Sequence, residues 1–121
     1  MRAPRAVFTA VALAGLTAAQ ERVSFPTQDG GLVYADMYGN GDRAVLLAHG
    51  GRFNKESWEQ QARALAAAGF RCLAIDFRGY GQSRGPGQSD PLSAPLHFDV
   101  LAAVRYLRIG CQGKKLRISE R

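Results

Sequence analysis

The sequence is poor in the residues that build metal sites and covalent frameworks: its 121 residues include two cysteines, two histidines, two methionines and one tryptophan. Cys72 and Cys111 allow one disulfide at most. No Cys/His spacing matches a metal site, so neither a metal nor another cofactor is expected. Low-complexity blocks and internal repeats are absent, which removes the fibrous and solenoid classes. Long apolar runs are missing as well: the run from Ala6 to Leu16 is short of the roughly 20 residues that a membrane-spanning helix takes. Basic residues are in excess, with a formal charge of +6, yet they are scattered apart from Lys114-Lys115-Leu116-Arg117. A nucleic-acid binder concentrates its charge on one face and interleaves aromatics, and this chain does neither, so no nucleic-acid partner is expected.

What is present suits one globular domain, with 46% hydrophobic and 21% charged residues. Residues 1–19 differ from the rest. Met1-Arg2-Ala3-Pro4-Arg5 is a short basic start, an apolar run follows, and Thr17-Ala18-Ala19 offers small residues before Gln20, which is the layout of a secretory signal peptide. The expectation is cleavage after Ala19, a secreted or periplasmic product, and no membrane association once the signal is gone. Arg2 and Arg5 leave with that segment, so the domain at 20–121 carries +4.

Within the domain the runs Arg22 to Pro26 and Leu32 to Tyr38 flank Gln28-Asp29-Gly30-Gly31 and read as a hairpin. Ala44 to Ala48 is an unbroken apolar run ended by His-Gly-Gly, as in a strand buried on both faces of a parallel sheet. Asn54 is a candidate N-cap with Glu56 in the first turn. Trp58, Ala62, Leu65 and Ala66 share a helix face, and Gly69 stops the helix. Cys72 to Ile75 is a second buried strand. A helix starting at Pro95 or Leu96 places His97, Val100, Leu101, Val104 and Leu107 on one face, and Gly110 ends it. Lys114 to Ser119 looks like the start of a third buried strand. Strand, helix, strand, helix, strand predicts right-handed βαβ units: an α/β fold with a mostly parallel sheet and flanking helices.

The string Gly81-Gln82-Ser83-Arg84-Gly85 satisfies G-x-S-x-G, the mark of a serine nucleophile on a strand-to-helix turn. The preceding strand ends near Asp76 or Phe77, several residues too early for such a turn. Gly85-Pro86-Gly87 then stands where the helix should nucleate. Ser83 is therefore read as a loop residue and not as a nucleophile.

His49-Gly50-Gly51 after a buried strand, Trp58 in the next helix, and Asp76-Phe77-Arg78-Gly79-Tyr80-Gly81-Gln82-Ser83 together resemble the N-terminal half of an α/β-hydrolase domain, of the serine esterase or dienelactone-hydrolase-like kind. The likeness runs from about Val23 to Ser119. It implies that Asp76, Arg78, Gly79, Gly81 and Ser83 form a structural motif loop and that Ser83 is not the nucleophile. It also implies an oxyanion-side loop, in which a backbone N–H of Gly51 or Arg52 stabilises charge on a carbonyl oxygen. Glycines let the backbone approach a substrate closely, while His49 and Gly50 brace the turn. By the same resemblance the nucleophile, acid and catalytic histidine come later than Ser119, so the expected fold is a partial α/β-hydrolase, truncated at the strand that precedes the nucleophile. His97 is not assigned catalysis. The implied substrate is a small ester-like molecule, handled by this chain only if the fold is completed. The competing reading is a non-catalytic exported domain of the same fold that binds or complements a partner. The implied strand order sets the Ala44 strand between the Cys72 and Lys114 strands, roughly 10 Å apart, and so predicts no Cys72–Cys111 disulfide.

Overall fold

A computed structural model describes residues 20–109. Cys111, the Lys114–Ser119 strand and the signal-like segment lie outside the described residues.

Strand β1 (Gln20–Pro26) and strand β2 (Leu32–Tyr38) pair antiparallel, with Pro26 opposite Leu32 and Gln20 opposite Tyr38. The turn between them closes by the Thr27 N–H donating to Gly31 O at 2.9 Å, and Thr27 Oγ1 accepts the Gly31 N–H at 2.7 Å. Strand β3 (Arg43–Ala48) and strand β4 (Phe70–Ile75) pair parallel, with Ala48 opposite Ile75. β2 pairs antiparallel with β4, and the sheet order is β1-β2-β4-β3. The fold is α/β as the sequence leads one to expect, with a mixed sheet over the described residues: the N-terminal hairpin docks its second strand against β4 and contributes both antiparallel pairings.

Between β3 and β4 the chain makes one 3₁₀ turn, Lys55–Trp58, and then helix α1 (Glu59–Ala67). Asn54 caps this segment with a reciprocal box: Ser57 N–H donates to Asn54 Oδ1, and Asn54 N–H donates to Ser57 Oγ, both at 3.2 Å. The expected N-cap is thus in place, but it caps a 3₁₀ turn rather than a regular α-helical one. Gly69, at φ +97°, ends the helix as expected.

Helix α2 (His97–Ile109) covers the opposite sheet face. Its buried residues are Asp99, Ala102, Ala103 and Leu107, not the set inferred from the sequence: His97 is exposed and Leu101 is 50% exposed. The helix is turned because Asp99 is drawn inward by an ion pair described below, and because two alanines let the helix approach the sheet closely. One core lies under α2, with Phe25, Val33, Ala35, Leu73, Ile75 and Phe77 meeting Ala102, Ala103 and Leu107. The other lies under α1, where Ala62 meets Tyr38, Leu47, Cys72 and Ala74. The apolar run of β4 is buried at every position from Arg71 to Ile75 because both faces are covered, as an unbroken pattern predicts.

Candidate active site

Because β3 and β4 are parallel neighbours in register, the loops that follow Ala48 and Ile75 leave from the same edge of the sheet. Carboxyl ends of parallel strands are where α/β folds place their ligands. The His-Gly-Gly loop and the Asp76-to-Ser83 loop therefore meet, and the contacts between them define the site.

His49 is buried, its ring held edge-on to Phe77 and Tyr80 with centroids 5.2 and 4.7 Å away. Its Nε2 accepts the Phe77 N–H at 3.1 Å, so that nitrogen carries no proton. Nδ1 then bears the proton and donates to Gly50 O at 2.8 Å. His49 ties the end of β3 to the end of β4 and is occupied at both nitrogens. Gly50 O also accepts the Phe53 N–H at 3.0 Å, closing a turn over residues 50–53. Gly51 O accepts from the Tyr80 hydroxyl at 2.7 Å. Among the described residues, the N–H groups of Gly51 and Arg52 donate to no protein acceptor, and both residues are exposed. A Cβ built on Gly51 would meet nothing closer than the Tyr80 hydroxyl at 3.9 Å, so the space in front of the turn is open. A cavity of about 310 Å³ adjoins it, lined by His49, Gly50, Phe53, Ser57, Trp58 and Gln61.

Asp76, 2% exposed, stands behind this turn. Its Oδ1 accepts the Lys55 N–H at 2.7 Å and lies 3.9 Å from His49 Nε2. Burial pushes its carboxyl above the usual range, against the opposing pull of the Lys55 N–H. Lys55 is itself buried, with Nζ 3.0 Å from Asp36 Oδ2 and also bonded to Glu56. Burial alone would lower that ammonium's pKa; the hydrogen bonds to Glu56 and Asp36 outweigh it and hold the group above its ordinary value.

The remaining residues of the motif loop are engaged by neighbouring segments. Arg78 is completely enclosed and lies between two carboxylates. Nε and Nη2 donate to Asp99 Oδ1 at 3.0 and 2.8 Å, while Nη1 and Nη2 donate to Asp29 at 2.8 and 2.9 Å. Nη1 also reaches Pro86 O at 2.8 Å, and the Arg78 N–H donates to Asp99 Oδ2 at 2.9 Å. One guanidinium thus joins the β1–β2 turn, the motif loop and the first turn of α2. Gly79 and Gly81 have φ of +88° and +54°, conformations that suit glycine, and a Cβ at Gly81 would sit 2.4 Å from Asp76 Oδ2.

Ser83 is buried, and its Oγ accepts the Tyr34 N–H at 2.8 Å. Its carbonyl accepts the Gly79 N–H, its own N–H donates to Tyr80 O, and Arg84 bridges to Leu32 beside it. The hydroxyl is a brace between loop and sheet. Neither histidine is bonded to it, and no strand-to-helix turn surrounds it.

Sequence reasoning missed Asp29, Asp99, Lys55 and Tyr80. An aspartate three residues before the alanine pair, one helical turn away on the same face, was the available signal for Asp99. Tyr80 carried none, because its role depends on the distance between two loops. Among the described residues no group of three His, Cys, Asp or Glu side chains is placed to hold a metal ion, and no helix is long and apolar enough to cross a membrane.

A parallel strand pair, helices on both sheet faces, and a glycine turn at the strand ends opposite a D-x-R-G-x-G-x-S loop are the makings of a hydrolase scaffold. The alpha/beta hydrolase fold family model matches residues 43–115, and the chain belongs to that family. Among curated proteins it is similar to an epoxide hydrolase of Caballeronia sordidicola, 44% identical over 68 residues, which make up 54% of this chain and 20% of that protein. Among solved structures it resembles an epoxide hydrolase from an endophytic Streptomyces, with 36% identity and a TM-score of 0.59 over 77% of this chain and 27% of the other. It also resembles an esterase from Exiguobacterium antarcticum, at 27% identity and a TM-score of 0.60 over 73% of this chain and 32% of that one. The chain thus spans about a fifth to a third of these relatives' lengths.

Proposed function

We propose that this chain supplies the oxyanion-side scaffold of a hydrolase in which negative charge develops on a substrate oxygen. The observation that carries the reading is the pair of unengaged N–H groups at Gly51 and Arg52, held at the carboxyl ends of β3 and β4 with open space before them. Fixed donors of this kind are worth about 3–4 kcal/mol each in a transition state.

Two substrate classes fit. An ester-like carbonyl oxygen becomes an oxyanion on attack, as a relative named as an esterase suggests. An epoxide oxygen becomes an alkoxide on ring opening, and the higher identities to proteins named as epoxide hydrolases favour this class. In either case a nucleophile from outside the described residues attacks, and Ser83 takes no part. Export directed by residues 1–19 belongs to the same reading, and an intact mass beginning at Gln20 is its check.

The function is tested by co-expressing the full chain with the downstream segment of the Exiguobacterium esterase and confirming assembly by size exclusion. Hydrolysis of p-nitrophenyl acetate or styrene oxide that neither part shows alone is expected. Gly51→Pro removes one donor at a position whose φ is not positive, and it should lower turnover by about 100-fold or more. An assembled complex whose turnover ignores that substitution would overturn the assignment.

A further inference from the structure

The two donors of the turn are unengaged, yet the carbonyls on the same two peptide units are both held. Gly50 O is fixed by His49 Nδ1–H at 2.8 Å and by the Phe53 N–H at 3.0 Å. Gly51 O is fixed by the Tyr80 hydroxyl at 2.7 Å. No described peptide bond is cis, and in a trans peptide the N–H points opposite to the C=O of the same unit. Fixing Gly50 O therefore fixes the direction of the Gly51 N–H. Fixing Gly51 O fixes the direction of the Arg52 N–H.

The first of these two holds comes from the turn and the residue next to it. The second does not. It crosses 29 residues of sequence, from the loop after β4 to the loop after β3, and it bears on a turn whose two glycines have no Cβ to restrain the backbone. Without it the Gly51 carbonyl has no hydrogen-bond partner among the described residues, and the Gly51–Arg52 unit is restrained by the 50–53 turn alone. The Tyr80 ring is set in turn by its edge contact with the His49 ring and by the Tyr80 N–H, which donates to Phe77 O at 2.9 Å. Its hydroxyl has the turn carbonyl as acceptor and no other use in the described structure.

We infer that Tyr80 is a positioning residue that aims the Arg52 N–H at the substrate oxygen by holding the carbonyl of the same peptide unit. The inference rests on the oxyanion reading above. It adds that the motif loop, besides joining β1–β2 to α2, controls the geometry of the donor turn, and that its aromatic position matters through one oxygen atom.

The test is Tyr80→Phe, which keeps the ring against His49 and deletes only the hydroxyl. In the assembled complex kcat should fall about tenfold, with KM within about twofold of the parent, because a misaimed donor weakens the transition state more than substrate binding. In ¹⁵N-labelled full chain the Arg52 amide resonance should shift well beyond that of Gly51, while amides of β1 and α2 stay in place. Unchanged kcat with unmoved amides overturns the inference. So does a fall in kcat with unmoved amides, since the effect would then travel by another route. If the amides move but Gly51→Pro leaves turnover intact, the clamp stands and the oxyanion reading is what fails.

Discussion

Ser83 shows how far a single hydroxyl's role depends on its surroundings. Its Oγ accepts a backbone N–H of β2 from a buried position, so Ser83→Ala leaves the Tyr34 N–H without an acceptor and should cost about 1–3 kcal/mol in urea unfolding. An organophosphorus probe should not label it; stoichiometric labelling that vanishes in the alanine variant would restore the nucleophile reading. Arg78 has a larger part. Arg78→Met removes the partner of the fully buried Asp99 carboxylate and should cost about 3–5 kcal/mol. The same guanidinium, with the Thr27 hydroxyl second, pulls the Asp29 carboxyl down to about 2. Since that folded value lies below the unfolded one, the stabilisation is present above about pH 4 and is lost as the pH falls through about 2. Asp29→Asn should therefore destabilise the chain at pH 7 and be close to neutral at pH 2. Equal penalties at both pH values would contradict the linkage.

At the scale of elements, the helical part of the connection between β3 and β4 starts with a tight 3₁₀ turn whose capping and first residues do two jobs. Asn54 and Ser57 satisfy each other's backbone N–H groups, and the Lys55 N–H between them goes to Asp76. Asn54→Ala removes the cap and should cost about 1 kcal/mol, read as a lower urea midpoint. Asn54→Asp keeps the acceptor and should leave the midpoint nearly unchanged; equal losses in the two variants would show that the cap is not what the side chain contributes. Helix α2 makes the opposite point. Its sequence allows more than one buried stripe, and the stripe chosen is the one that carries Asp99 to Arg78.

For the molecule as a whole, the sheet's edges decide behaviour in solution. Among the described residues β3 pairs with β4 on one side only. Its residues nonetheless pack alternately into both cores, Val45 and Leu47 toward α1, Ala44 and Leu46 toward α2. An apolar strand edge that the described residues leave unpaired is a template for further pairing. The full chain should associate with rising concentration in sedimentation velocity and unfold without a sharp transition. A monodisperse monomer with a cooperative melt across the concentration range would refute this.

The sequence by itself determined the four described strands, the helix after Asn54, its stop at Gly69 and the membership of a hydrolase family, because each depends on local periodicity, on a position that favours glycine, or on two motifs at fixed separation. It also argued against Ser83 as a nucleophile, since Gly85-Pro86-Gly87 is a poor start for the helix that such a turn needs. It did not determine which face of α2 is buried, that Asp29 and Asp99 share one arginine, or that a tyrosine hydroxyl meets a glycine carbonyl. Those depend on distances between segments 21 to 49 residues apart, and only the packing of the hairpin, the two parallel strands and the helices brings them to hydrogen-bonding range.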